Sequence, residues 1–149
     1  MTEFRYALQK IVDLKGNEKT QAEWQLSKAI FRLREEQDSL SRLESEKQKW
    51  LNGICAGQSS TVSDLQAVQD YISHLERQIL HKHLDVNAAN QRVVSSQTLV
   101  SDKMKDEKAW SNARERAMQK FTERMLKLEQ EAIDELAAMR HGPVISGKG

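Results

Sequence analysis

The residues Gly142-Pro143-Val144-Ile145-Ser146-Gly147-Lys148-Gly149 contain G-x-x-x-x-G-K, most of a loop whose backbone amides cradle nucleotide phosphates. That chemistry needs a strand before the loop, a helix after it, and a Ser or Thr after the lysine to hold magnesium. Gly149 stands in that last place and no strand precedes the loop, so no nucleotide site is expected. The histidines are His74, His81, His83 and His141, and no two of them stand four apart, the spacing of a helical metal site. No metal and no cofactor are expected. Cys55 is the one cysteine. Nothing beside it supplies a base or a positive charge to activate the thiol, so it reads as an inert loop residue. Carboxylate pairs such as Glu35-Glu36 and Glu129/Glu131 read as solvated helix faces, with no cavity to tune them for acid–base work. An enzyme is not expected. The basic series Lys103, Lys105, Lys108, Arg114, Arg116, Lys120, Arg124 and Lys127 could follow nucleic-acid phosphates. Acids are interleaved with it and the chain's net charge is only +1, so nucleic acid is not expected as a partner.

The elements that carry these residues follow from what is missing. Between Gln58 and His141 there is no glycine and no proline. That stretch, rich in Leu, Ala, Glu, Gln, Lys and Arg, reads as one helix, on the order of 110–120 Å long at 1.5 Å per residue. Hydrophobic residues make up 38% of the 149 and charged residues 30%, enough for a seam between two helices but not for a thick core. The opening MTEFRYALQK lacks the apolar core of a signal peptide. No apolar run approaches the ~20 residues of a membrane span. With a single cysteine, these features predict a soluble, cytoplasmic protein.

Gly53 and Gly57, followed by Ser59 and Ser60, predict a turn over about 53–61 between a first helix over about 4–54 and a second over about 62–140. Thr61 and Asp64 resemble a capping box at the start of the second helix. Residues 142–149 are expected to be a disordered tail, and 1–141 a single domain. Steps of four and three along the first helix land on Leu8, Val12, Lys15, Lys19, Ala22, Leu26, Ala29, Leu33, Glu36, Leu40, Leu43, Lys47, Trp50 and Ile54, most of them apolar. The same rule from Leu65 reaches Ile72, Leu75, Ile79, Lys82, Val86, Ala89, Val93, Trp110, Arg114, Ala117, Phe121, Arg124 and Leu128. A 3.5-residue period sustained this long predicts an all-α fold, a long two-helix antiparallel coiled-coil hairpin. Gly16 is its weak point, where a kink or fraying is expected at a cost of about 1 kcal/mol.

Folding about the turn pairs positions whose numbers sum to roughly 118 or 119. Glu36 then faces Lys82, an opposite-charge pair expected to help fix register. Lys15 falls opposite Lys103, which Glu107 must screen or the seam must splay. The second helix overhangs the first by roughly 26 residues. That overhang stays amphipathic through Ala117, Phe121, Met125, Leu128, Ala132 and Ile133, which points to a protein partner or to self-association.

Three blocks carry a family likeness: Phe4-Arg5-Tyr6-Ala7-Leu8-Gln9-Lys10-Ile11-Val12-Asp13-Leu14-Lys15, then Tyr71-Ile72-Ser73-His74-Leu75-Glu76, then Glu129-Gln130 with Asp134-Glu135, Ala137 and Arg140. In these blocks, and in length and hairpin layout, the chain resembles the flagellar FliJ family, the coiled-coil stalk proteins of flagellar type III export. Gly16 departs from the pattern. The resemblance implies a non-catalytic stalk, similar to the gamma subunit of rotary ATPases, that promotes assembly and activity of the export ATPase hexamer. It implies contacts with the cytoplasmic domain of an export-gate membrane protein and with export chaperones, and a position at the inner face of the cell membrane through partners only. Under it, Arg5, Lys10, Arg116, Lys120, Phe121, Arg124 and Leu128 are the expected ATPase-facing residues. Tyr71, Leu75 and Gln78 are the expected gate-facing ones. An injectisome stalk and a homodimeric structural tether are the alternatives.

Overall fold

The computed structural model describes residues 3–55, 57 and 61–146, with the side chains of 55 and 141–146 outside the description. It contains two helices, α1 (Gln9–Cys55) and α2 (Val62–Ser146), packed antiparallel as a hairpin. Among the described residues there is no strand. Two compact units divide the hairpin: Lys19–Lys103, which contains the turn, and a terminal unit made of Met1–Glu18 and Met104–Gly149.

In the unit 19–103 the core is the seam that the heptad rule marks out. Ala22, Ile72, Leu75, Ala89 and Val93 are the buried apolar residues, and each stands on that stripe. Removing such side chains from water is the main stabilising contribution available to a two-helix fold, about 1.5–3 kcal/mol for each large one. Glu36 is the buried charge, only 6% exposed. Its carboxylate accepts from Lys82 Nζ at 2.8 Å and from Arg32 Nη2 at 3.0 Å, so the charge is not left alone.

Gly57 takes a left-handed φ of 71°, which glycine adopts without strain, and its N–H donates to the Ile54 carbonyl at 3.0 Å. Residues 56 and 58–60 of the expected turn lie outside the described residues. Thr61 caps α2: its Oγ1 accepts the Asp64 N–H at 3.0 Å, and its carbonyl accepts the Leu65 N–H.

Three features differ from the sequence expectation. α1 begins at Gln9, not near Phe4, because Glu3–Tyr6 is not helical and leads through a turn at Ala7–Leu8. α1 continues as helix through Gly16, with no break there. Helix neighbours on both sides carry a single glycine whose backbone stays helical. α2 continues to Ser146, into the stretch expected to be a disordered tail; residues 147–149, including Lys148 of the loop-like motif, lie outside the described residues.

Candidate partner-binding surfaces

The terminal unit is built from the first residues and the far part of α2. Glu3-Phe4-Arg5-Tyr6 alternates charged and aromatic residues, a period of two that suits an extended segment with one face inward. Burial follows the same period: Phe4 and Tyr6 are partly covered, Glu3 and Arg5 exposed. The Phe4 ring packs against Phe121, with centroids 5.4 Å apart, and stacks on Tyr6 at 6.4 Å. An extended chain advances about 3.3 Å per residue against 1.5 Å for a helix, so Phe4 reaches Phe121 as well as the neighbourhood of Arg114. Arg114, a charge at a seam position, donates from Nε to Gln9 Oε1 at 2.6 Å and lays its guanidinium 5.6 Å from the centre of the Phe4 ring.

Beside these rings lies an open cleft of about 740 Å³, lined by Glu3, Phe4, Arg5, Tyr6, Ala117, Phe121 and Arg124. Of the residues expected to face an ATPase, the structure brings Arg5, Phe121 and Arg124 together in this cleft. Lys10, Arg116 and Lys120 are exposed but do not line it, and Leu128 stands farther along α2, 51% exposed. From Leu126 to Arg140 every residue of α2 is exposed, including Ile133, Leu136 and Met139. Among the described residues, none covers this apolar stripe. Lys15, expected opposite Lys103, has acids of its own beside it. Lys15 Nζ pairs with Asp106 at 2.9 Å and Glu18 at 3.6 Å, and the Asp106 hydrogen bond foremost holds the Lys15 pKa above its ordinary value.

The second surface lies in the unit 19–103. Tyr71 packs across the hairpin: its hydroxyl donates to Glu46 Oε1 at 2.6 Å, and its ring meets Trp50 edge-on at 5.2 Å. That hydrogen bond, then burial, then the Glu46 charge, raise the Tyr71 pKa above the ordinary 10.0. Trp50, expected in the core, is 40% exposed, because α1 ends five residues later at Cys55 and few neighbours remain to cover it. Leu75 is the most enclosed side chain, 2% exposed, so it belongs to the seam. Tyr71 and Gln78, one heptad apart on the same face of α2, are exposed. Gln78 lines an open cleft of about 400 Å³ whose charged walls include Arg42, Glu46, Lys82 and Asp85.

Several ionisable groups are paired along and between helices, Lys47 with Glu76 at 3.3 Å among them. His81 lies 3.4 Å from Asp85 and His83 3.7 Å from Glu44. Among the described residues no group of three His, Cys, Asp or Glu could hold a metal ion, and no helix is long and apolar enough to cross a membrane. Both surfaces are suited to binding.

The sequence model of the flagellar FliJ protein matches residues 4–143. The chain belongs to the flagellar FliJ family. This is a non-catalytic structural family, and membership implies a component of the flagellar export apparatus. No curated protein matches the chain. Among solved structures, a chain of Chlamydia trachomatis described as a YscO homologue, CT670, is similar in fold. It is 19% identical, the alignment covers 99% of this chain and 100% of that one, and the TM-score is 0.59. For this FliJ-family chain, Phe4, Tyr6, Arg114 and Gln9 are the residues that sequence reasoning did not assign to the terminal surface. The aromatic–charged alternation over Glu3–Tyr6 was the signal for the first two. Nothing local marked Gln9 as the partner of Arg114.

Proposed function

We propose that this FliJ-family chain is the central stalk of the flagellar export ATPase, non-catalytic itself, promoting assembly and activity of the hexamer. The observation that carries the reading is the terminal surface. Arg5 and Arg124 flank the Phe4–Phe121 ring pair in one open cleft, and an uncovered apolar stripe continues along α2 through Leu128. A helix end with apolar side chains inside a basic collar suits insertion into a protein ring, where burial supplies affinity and the charges set orientation. Lys10, Arg116 and Lys120 extend the collar. In the same reading Tyr71 and Gln78 face the cytoplasmic domain of the membrane export gate, and Leu75 supports them from inside the seam. Export chaperones are further partners. The protein acts in the cytoplasm, at the inner face of the membrane through its partners.

The test is ATP hydrolysis by the export ATPase of the same organism, titrated with this chain. Wild type should stimulate hydrolysis and ring assembly. Arg124→Glu, Leu128→Asp and a truncation after Arg114 should not, while far-ultraviolet circular dichroism shows the two point variants still helical. An unstimulated ATPase with wild type, or full stimulation by all three variants, overturns the proposal.

A further inference from the structure

After Met1 the chain holds four methionines, Met104, Met118, Met125 and Met139, and every interval between them is a multiple of seven. They therefore occupy one heptad position, with Ser111 and Ala132 in its two remaining places. The result is a single row of thioethers along α2, roughly 50 Å from end to end. The row stands one residue past the seam positions Lys103, Ala117 and Arg124, so it flanks the seam rather than filling it. Burial agrees: Met104 is 51% exposed, Met118 46% and Met139 67%, while Met125 is half-covered. Neither helix formation nor packing calls for sulfur here. Residues 2–103 contain no methionine and build the apolar part of their seam mainly from Leu, Ile, Val and Ala. Leucine also matches methionine in helix preference. What methionine has and leucine lacks is a sulfur lone pair open to two-electron oxidants. We propose that this row is a reversible oxidation site: hydrogen peroxide converts its exposed methionines to sulfoxides, which turns this face of α2 from apolar to polar and weakens its hold on a protein partner.

In the step, the sulfur lone pair attacks one oxygen of the peroxide. An S–O bond forms and the O–O bond breaks. The hydroxide that leaves takes the proton of the transferred oxygen and becomes water. Sulfur loses two electrons and the peroxide gains them. Met104, Met118 and Met139 react first, because the oxidant reaches them from solvent, and Met125 reacts last. Each sulfoxide sets a polar, chiral group where an apolar side chain stood, on the same stretch of helix as the exposed Leu128 and Leu136. Methionine sulfoxide reductases, one for each sulfoxide epimer, return the thioether, so the change is reversible. Its effect on the export ATPase rests on the stalk reading; the oxidation and the change of surface do not.

The full chain carrying Cys55→Ser, which removes the thiol as a competing target, is treated with hydrogen peroxide. Peptide mass spectrometry should find one added oxygen at Met104, Met118 and Met139 before Met125. Retention on a hydrophobic-interaction column should fall. Half-maximal stimulation of the ATPase should need at least about tenfold more oxidised chain, and the two reductases together should restore both readouts. Circular dichroism confirms that helix content is unchanged. The variant M104L/M118L/M125L/M139L keeps side-chain volumes close and retains Met1; it should behave alike before and after peroxide. Methionines that stay reduced in peroxide overturn the proposal, as does full oxidation that leaves retention and stimulation unchanged. So does a leucine variant that loses stimulation on treatment as fully as the methionine chain. If the untreated chain does not stimulate the ATPase, the stalk reading fails and the column decides the oxidation proposal, which an unchanged retention overturns.

Discussion

Replacing Lys82 by Met leaves the Glu36 carboxylate inside the seam with one partner instead of two. The carboxylate is 6% exposed and holds Lys82 at 2.8 Å and Arg32 at 3.0 Å. Removing one partner of a fully buried pair costs about 3–5 kcal/mol. Here Arg32 remains, and it approaches from the solvent side, 60% exposed at its side chain, so the cost falls to roughly 1–3 kcal/mol. The converse variant, Glu36→Met, leaves an ammonium that is partly in water and still 3.8 Å from Asp85. Its loss should be smaller, about 1 kcal/mol. With both replaced by Met, two apolar side chains meet at a seam layer, and the double variant should lie within about 1 kcal/mol of wild type. The singles therefore add to more than the double, with a coupling of about 2 kcal/mol. Urea unfolding followed by circular dichroism measures it, since 2 kcal/mol moves the midpoint by roughly 1 M for a slope of about 2 kcal/mol per molar. A coupling below about 0.3 kcal/mol refutes the reasoning, because Glu36 and Lys82 would then be independent despite their contact.

Gly16→Ala should stabilise the chain by about 0.5–1 kcal/mol, because a Cβ there meets nothing within 4 Å and the helix backbone already suits alanine; thermal melting reads the gain. Thr61→Ala should cost about 1 kcal/mol by removing the acceptor for the Asp64 N–H, while Thr61→Ser should keep nearly all of it, both read by urea unfolding. Tyr71 should hold its phenol proton above the ordinary 10.0, since its hydroxyl hydrogen-bonds Glu46. Its contribution is therefore complete below that ordinary value and fades as pH rises through the higher folded one. Nuclear magnetic resonance of the Tyr71 ring should show the late titration in wild type and an earlier one in Glu46→Gln.

The seam was legible because side-chain burial in a two-helix fold follows a 3.5-residue period, and every buried residue named above falls on it. The register was legible because a short turn leaves one way to lay α2 on α1, and Glu36 meets Lys82 where the numbering put them. Helical periodicity misled at the amino end. Phe4 and Leu8 stand four apart, as on a helix, and only the alternation through Glu3, Phe4, Arg5 and Tyr6 marks the extended path. Asp106 was not singled out as a partner of Lys15, because long flexible side chains choose among neighbours less than a turn apart. Of the terminal surface, the basic residues and Phe121 could be chosen from sequence. The ring that Phe121 packs against could not, since that contact depends on where α1 starts.

The cross-hairpin pairs also set an order in time. Tyr71 and Glu46 are 25 residues apart in sequence, Lys82 and Glu36 are 46 apart, and Arg114 and Gln9 are 105 apart. Closing the longest of these loops from an open chain costs roughly 1.3 kcal/mol more entropy than closing the shortest. Contacts near the turn therefore form first, and each later pair closes only a short increment beyond those already made. Unzipping runs the other way, so Gln9 and Arg114 part before Glu46 and Tyr71 do. The hairpin keeps its fastest and most persistent contacts at the turn, and leaves the end that carries Phe4, Arg5 and Phe121 as the part that opens and recloses most readily.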